Sequence, residues 1–170
     1  AAQTLLVVAF MQPAQMSVVG VPVANRFSQP SPPRAILREQ LGWHPAKPIV
    51  LLMGGGEGMG PLSEMSRALD SSGLDLELAV ICGRNKNLQR RMEAYPWNQR
   101  CHVYGFIDTI PDLMRAADIL VSKAGPGTIS EAYICGLPLI LYSRLPGQEE
   151  GNVAYVLGTG TGVWAPPRRK

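Results

Sequence analysis

Between Asp118 and Asn152 the chain reads DILVSKAGPGTISEAYICGLPLILYSRLPGQEEGN. The apolar run at 119–122 is too short for a helix and suits a buried strand, and a glycine-proline turn follows it at once. Helical spacing resumes near Thr128, a second strand is expected over 137–142, and a polar loop closes the stretch at Asn152. A strand that ends in Gly125, Pro126 and Gly127 and turns directly into a helix aims unpaired backbone N–H groups, and the positive end of the helix dipole, at one spot. An anion suits that spot. Pro126 has no N–H to leave unsatisfied and its fixed φ fits a first helical turn, while Gly125 and Gly127 let a ligand approach the backbone closely. Thr128 and Glu131 stand three apart on one helix face, so the hydroxyl can meet a phosphate while the carboxylate takes a vicinal diol such as that of a ribose. The competing reading is a plain helix start, with Thr128 as N-cap and Glu131 closing a capping box.

The same alternation extends in both directions. After a proline-rich break at 29–33, a short amphipathic helix is expected over 34–41, then a strand at 49–53 and a helix at 62–69. A strand at 76–82, a helix at 85–95, a strand at 101–104 and a helix at 110–117 follow, and upstream the run 18–23 reads as a short strand. Strands alternating with helices in units of this length predict an α/β domain, a Rossmann-like doubly wound parallel sheet with helices on both faces. In such a sheet ligands bind at the carboxyl ends of the strands. That rule makes the segments 54–60, 83–84, 105–108, 124–128 and 143–148 neighbours around one crevice.

At 170 residues the chain is one domain, or one domain with part of another, and large enough for a proper core. The net charge of +3 is small and the basic residues are scattered apart from Arg168, Arg169 and Lys170, so no nucleic-acid partner is expected. Cys82, Cys101 and Cys135 are odd in number and widely spaced, and reduced thiols in an apolar setting are the expected state. The longest apolar run, 5–11, falls far short of the roughly 20 residues that span a bilayer, so any membrane contact is expected to be peripheral. The chain opens at Ala1 in apolar sequence, and a piece of a longer protein is expected.

The loop that holds Gly55, Gly56, Glu57 and Gly58 lacks the Gly-Lys-Ser/Thr of a P-loop and does not fit G-x-G-x-x-G, which disfavours ATP and NAD cradles. Its glycines are costly in folding entropy, so the loop is read as one that lets a bulky ligand or a facing domain come close. Arg84 can pair with a phosphate or stack on a base, and Phe106 with the Ile107 backbone can take a base; the competing readings are a solvated arginine and a core aromatic. Gln148, Glu149 and Asn152 offer the carboxamide and carboxylate groups that sugar hydroxyls need, against the alternative of an ordinary acidic helix start. His44 and His102 are isolated and the cysteines lack ligand spacing, so no metal site is expected.

With these residues assembled, the chain resembles the C-terminal, donor-binding half of a GT-B glycosyltransferase of family 28, and within it the monogalactosyldiacylglycerol synthases. The resemblance rests on VVGVPV (18–23), LLMGGGEGMGP (51–61), VICGRNKNLQ (80–89), the GF at Gly105, SKAGPGTISEA (122–132), GLPLIL (136–141) and GQEEGNVAYV (147–156). It implies an inverting enzyme that transfers a hexose, galactose before glucose, from UDP-galactose or UDP-glucose to diacylglycerol, with the UDP-sugar as donor substrate and no cofactor. Uracil would lie against Phe106 and the Ile107 backbone, Glu131 would hold the ribose, Gly125, Pro126, Gly127 and Thr128 the diphosphate, and Gln148 with Glu149 the sugar. The division implied is a remnant of an N-terminal domain and connector at 1–30, the donor domain at 31–165, and the start of a tail at 166–170. The catalytic base and the acceptor groove would belong to the N-terminal domain, so this stretch alone is expected to bind nucleotide and transfer nothing. The implied location is cytoplasmic, peripheral to the inner membrane. A UDP-sugar epimerase of the same fold and a nucleotide-binding module without chemistry are the alternatives.

Overall fold

A computed structural model describes residues 14, 17, 19–58 and 60–166. The apolar run 5–11, Val18, and the terminal Arg168, Arg169 and Lys170 lie outside the described residues. Six strands, β1 (Ile49–Met53), β2 (Glu77–Ile81), β3 (Cys101–Tyr104), β4 (Ile119–Lys123), β5 (Leu139–Ser143) and β6 (Gly162–Trp164), form one sheet in the order β3-β2-β1-β4-β5-β6. Every neighbouring pair is parallel. The connecting helices are α1 (Arg34–Gln40), α2 (Leu62–Asp70), α3 (Lys86–Glu93), α4 (Ile110–Ala116), α5 (Pro126–Ile134) and α6 (Glu150–Gly158).

The side-chain alternation along β1 shows why a continuous apolar run was needed there. Ile49, Leu51 and Met53 enter one core with Leu37 of α1, Leu113 and Met114 of α4, Ile129 of α5 and Val153 of α6. Val50 and Leu52 enter the other, with Leu62 of α2 and Leu88 and Met92 of α3. A strand covered on both faces has no polar side to show. Proline stands in the first turn of α4 and of α5, where its missing N–H leaves nothing unpaired, and the Asn85 side chain caps α3 by accepting from Leu88 N at 2.9 Å.

The doubly wound sheet matches the expectation; α6 begins inside the stretch expected as a polar loop up to Asn152, and two further differences concern strands. The described part of the run 18–23 forms no strand: Gly20 takes φ +80°, Pro22 has no donor for a ladder, and Val19 and Val21 are exposed. The chain instead makes a 3-10 turn, Asn25–Phe27, that drops Phe27 into the core at 2% exposure. A phenylalanine buried to this degree contributes about 2 kcal/mol, enough to hold the connector against the domain. The second difference is β6, three residues long and not anticipated. Its Gly162 lies so close to β5 that a Cβ would stand 2.3 Å from the Leu139 carbonyl oxygen.

One carboxylate ties the central strands together. Asp118, at the entrance to β4, accepts from Ile49 N at 2.8 Å and from Arg38 Nη2 at 2.6 Å through Oδ2, and from Arg34 Nη1 at 2.8 Å through Oδ1. Arg38 is only 5% exposed and spends its other donors on the carbonyls of Ala116, Pro45 and Lys47. Asp118→Ala therefore leaves a buried guanidinium without its counter-ion, and we expect it to lower unfolding stability by about 2 kcal/mol in a urea titration, the Asp118 side chain being one-third exposed and its pairing partly screened.

Candidate functional site

In this strand order the connections run one way from β1 and the other way from β4, so the loops that leave these two neighbours diverge and open a crevice at the carboxyl ends of the sheet. The loop after β1 is locked to the loop after β2. Arg84 N donates to Gly56 O at 2.8 Å, and Gly58 N to Gly55 O at 3.0 Å. At Gly58, φ is +57° and a Cβ would lie 2.1 Å from the Cys82 carbonyl oxygen; at Gly83, φ is +59° and a Cβ would lie 2.3 Å from the Gly56 carbonyl oxygen. The two backbones interdigitate. The glycines thus answer first to loop-against-loop packing, where the sequence suggested only the approach of a ligand or domain.

A cleft of about 240 Å³ lies over this interlock. Gly55, Gly56 and Gly83 form one wall, Gly127, Thr128 and Glu131 of α5 the facing one, and Phe106 with Ile107 close one end. Its floor is apolar, built from Phe27, Met53, Ile81 and Ile110, and Arg26 stands at the edge. Burial pushes the Glu131 carboxyl above the ordinary carboxylate range, and the nearby Arg26 guanidinium draws it part of the way back. The capping-box reading does not hold: Gly125, not Thr128, is the N-cap of α5, and no side chain caps that end. Its first-turn N–H groups are left for another acceptor.

At the rim, the Arg84 guanidinium carbon lies 4.3 Å from the Phe106 ring centroid, and Nη1 donates to Glu57 Oε1 at 2.9 Å. Both charged side chains are 59% exposed, so this pair is easily parted by a ligand. A base entering here meets either the Arg84–Phe106 stack or the apolar wall at Ile107. On the far side, after β5, Glu149 is buried at 4% exposure. Its Oε1 pairs with Lys123 Nζ at 2.9 Å and its Oε2 accepts from Leu145 N at 2.8 Å. Asn152 Nδ2 donates to Ala124 O at 2.8 Å, which clips α6 to the β4 loop, while Gln148 is exposed. Pro126 and Asn152 line a separate apolar groove on the other side of α5, with Tyr133 and Tyr155.

The structure thus brings Gly55, Gly56, Phe106, Ile107, Gly127, Thr128 and Glu131 to one cleft, sets Glu57 and Arg84 on its rim, and turns Pro126 and Asn152 away from it. Gly58 is buried beneath the β1 loop and Gly125 begins α5. Sequence reasoning missed Phe27 and Arg26, which arrive from the connector, and Lys123. The carboxyl-end rule began one residue too late to include Lys123, the last residue of β4.

The model of the glycosyltransferase family 28 C-terminal domain matches residues 49–152. A probable chloroplastic monogalactosyldiacylglycerol synthase of Nicotiana tabacum is 44% identical over 94% of this chain and 31% of that protein. The chloroplastic monogalactosyldiacylglycerol synthase of Spinacia oleracea is 45% identical over 91% of the chain and 31% of its own length. The chain therefore spans about a third of these relatives. Among solved structures, WaaG, a glycosyltransferase involved in lipopolysaccharide biosynthesis, superposes with a TM-score of 0.69 at 19% identity over 95% of this chain and 45% of its own. HepE of Anabaena in complex with UDP gives 0.67 at 21% identity over 98% of this chain and 48% of its own. The fold is that of the C-terminal half of GT-B enzymes. The expectation of a cytoplasmic protein at an inner membrane is overturned by the chloroplastic designation of the relatives.

Two outcomes follow from the geometry. Gly83→Ala forces a side chain onto the Gly56 carbonyl at an unfavourable φ, and a loss of about 2 kcal/mol or more is expected in denaturant unfolding. Glu131 carries a carboxyl raised in the folded state, so the fold prefers it protonated, and its contribution to stability falls as pH rises through that raised value. Glu131→Gln should melt at a higher temperature than the parent at pH 7, with the gap narrowing toward pH 4.

Proposed function

The chain belongs to glycosyltransferase family 28, and from that membership we propose that it is the donor-binding half of an enzyme that transfers a hexose from a UDP-sugar to diacylglycerol. Galactose is the favoured sugar and the chloroplast the setting, since the synthases that the chain matches are named monogalactosyldiacylglycerol synthase, chloroplastic; UDP-galactose is then the first donor and UDP-glucose the second. The observation that carries the reading is that one wall of the cleft holds both the α5 N-terminus and the half-buried Glu131, two residues past its first turn. One part suits a diphosphate and the other a ribose diol.

The donor lies along the sheet edge. Uracil rests at Phe106 and the Ile107 backbone, where Arg84 can stay stacked on the ring or swing to the base. Glu131 accepts from both ribose hydroxyls. The N–H groups of Gly127 and Thr128, with the Thr128 hydroxyl, hold the diphosphate, and the hexose reaches the loop of Gln148 and Glu149. When an acceptor hydroxyl attacks the anomeric carbon and inverts it, negative charge grows on the departing UDP. Oriented N–H groups at α5 favour that state over the bound donor, which is how a site of this shape accelerates the transfer. The base that takes the acceptor proton and the groove for the lipid belong to the N-terminal half. No cofactor enters this scheme.

Calorimetric titration with UDP-galactose, UDP-glucose, UDP and NAD tests it directly. UDP and its sugars should bind and NAD should not, and Glu131→Ala should weaken UDP by about 1 kcal/mol or more, the scale of a charged hydrogen bond. Equal binding of NAD, or no effect of Glu131→Ala, would defeat this assignment.

A further inference from the structure

Lys123 and Glu149 form the most enclosed ion pair near the crevice, their side chains 23% and 6% exposed, and nothing above gives the lysine a task. Three observations define its position. First, β4 shifts register against β5 between Ser122 and Lys123, an irregularity of the kind that re-aims a side chain at the end of a strand. Second, the lysine stem runs between the two diverging loops: a Cβ on Gly55 would lie 3.4 Å from Lys123 Cε, and one on Gly125 would lie 3.6 Å from Nζ and 3.8 Å from Glu149 Oε1. A Cβ at either glycine would be in van der Waals contact with the lysine. Third, Glu149 is held from behind by Leu145 N, so the ammonium is anchored rather than free to follow solvent.

We propose, on the reading of the cleft as a UDP-sugar site, that Lys123 is the fixed cation for the phosphate next to the sugar, and that Glu149 acts chiefly by positioning it. The direction of the site decides which phosphate. Phe106 follows β3, Gly83 follows β2, Gly55 follows β1, and Lys123 ends β4, so successive positions step across the sheet from β3 toward β5. A nucleotide with its base at Phe106 brings its inner phosphate to α5 and its outer one to Lys123. Lysine has three N–H donors, and one is committed to Glu149. The others point to a phosphate that gains charge as the sugar leaves. The carboxylate keeps the ammonium in place in the empty site, and each of its oxygens retains a lone pair for a sugar hydroxyl.

The test compares UMP with UDP, which differ only by the phosphate assigned to Lys123. Calorimetry is run on the parent, Lys123→Met, Lys123→Arg, and a double variant that joins Lys123→Met with Glu149→Gln. The double variant leaves no buried carboxylate unpaired, and its melting temperature reports that the fold is kept. In Lys123→Met and in the double variant, UDP should weaken by about tenfold or more, the loss expected for one charge-assisted contact, while UMP changes by less than about threefold. Lys123→Arg should recover most of the UDP affinity. If UMP and UDP weaken by the same factor, or UDP is unaffected, Lys123 does not hold the outer phosphate. If the parent binds neither nucleotide, the donor-site reading itself fails, a result distinct from a loss confined to UDP, and this role for the lysine falls with it.

Discussion

The Asp118 carboxylate joins the starts of β1 and β4 to a buried arginine of α1, and the geometry of the crevice depends on it. These are the two strands whose outgoing connections part company. Their far ends can diverge cleanly only because their near ends are fixed in register, Val50 beside Ile119 and Met53 beside Ser122. The tie is a strong one, since a backbone N–H and two guanidinium groups converge on one acid. The same end of the sheet carries a related device at β2. Glu77, 1% exposed at the start of β2, accepts from His44 N and pairs with His102. Carboxylates tie the amino end of the sheet together, and glycines shape the end that forms the cleft.

The cleft itself sets stability against recognition. Glu131 is kept in a half-buried position that raises its carboxyl, a penalty to the empty domain that only a donor of two hydrogen bonds can offset. The start of α5, like that of four other helices, has no side-chain cap. In the proposed donor site both features become ligand contacts, the carboxyl for a ribose diol and the N–H groups for a diphosphate.

Much of this was legible in the amino-acid order because the driving forces were local. The runs at 49–53 and 119–122 could only be strands buried on both faces, and Pro126 between two glycines marked the start of α5 within two residues. What escaped depends on partners distant in sequence. Phe27 looks like any connector aromatic until the fold gathers it into the same core as Leu113 and Met114. The described part of the run 18–23 has strand-forming residues but pairs with no strand, while Gly162–Trp164 is too short to stand out in the sequence and gains its ladder from β5. Glu149 read as a group for sugar hydroxyls, and its ion pair with Lys123 spans 26 positions and had no local trace. Conversely, Pro126 at the start of α5 and Asn152 in α6 line a separate groove, and Asn152 spends its amide on the Ala124 carbonyl, a placement that spacing alone did not resolve.

The interlock of Gly58 with the Cys82 carbonyl and of Gly83 with the Gly56 carbonyl has a consequence for how the domain can change over time. The nearest obstacle at each glycine is a main-chain carbonyl, with the Asn85 Cβ a second one at Gly58, so no second side-chain substitution nearby can make room for a first. Those two positions are closed to stepwise drift. Variation in donor preference must instead accumulate where side chains, not carbonyls, form the boundary, at Arg84, Phe106 and Gln148, which makes this loop pair a frozen frame around an adjustable rim.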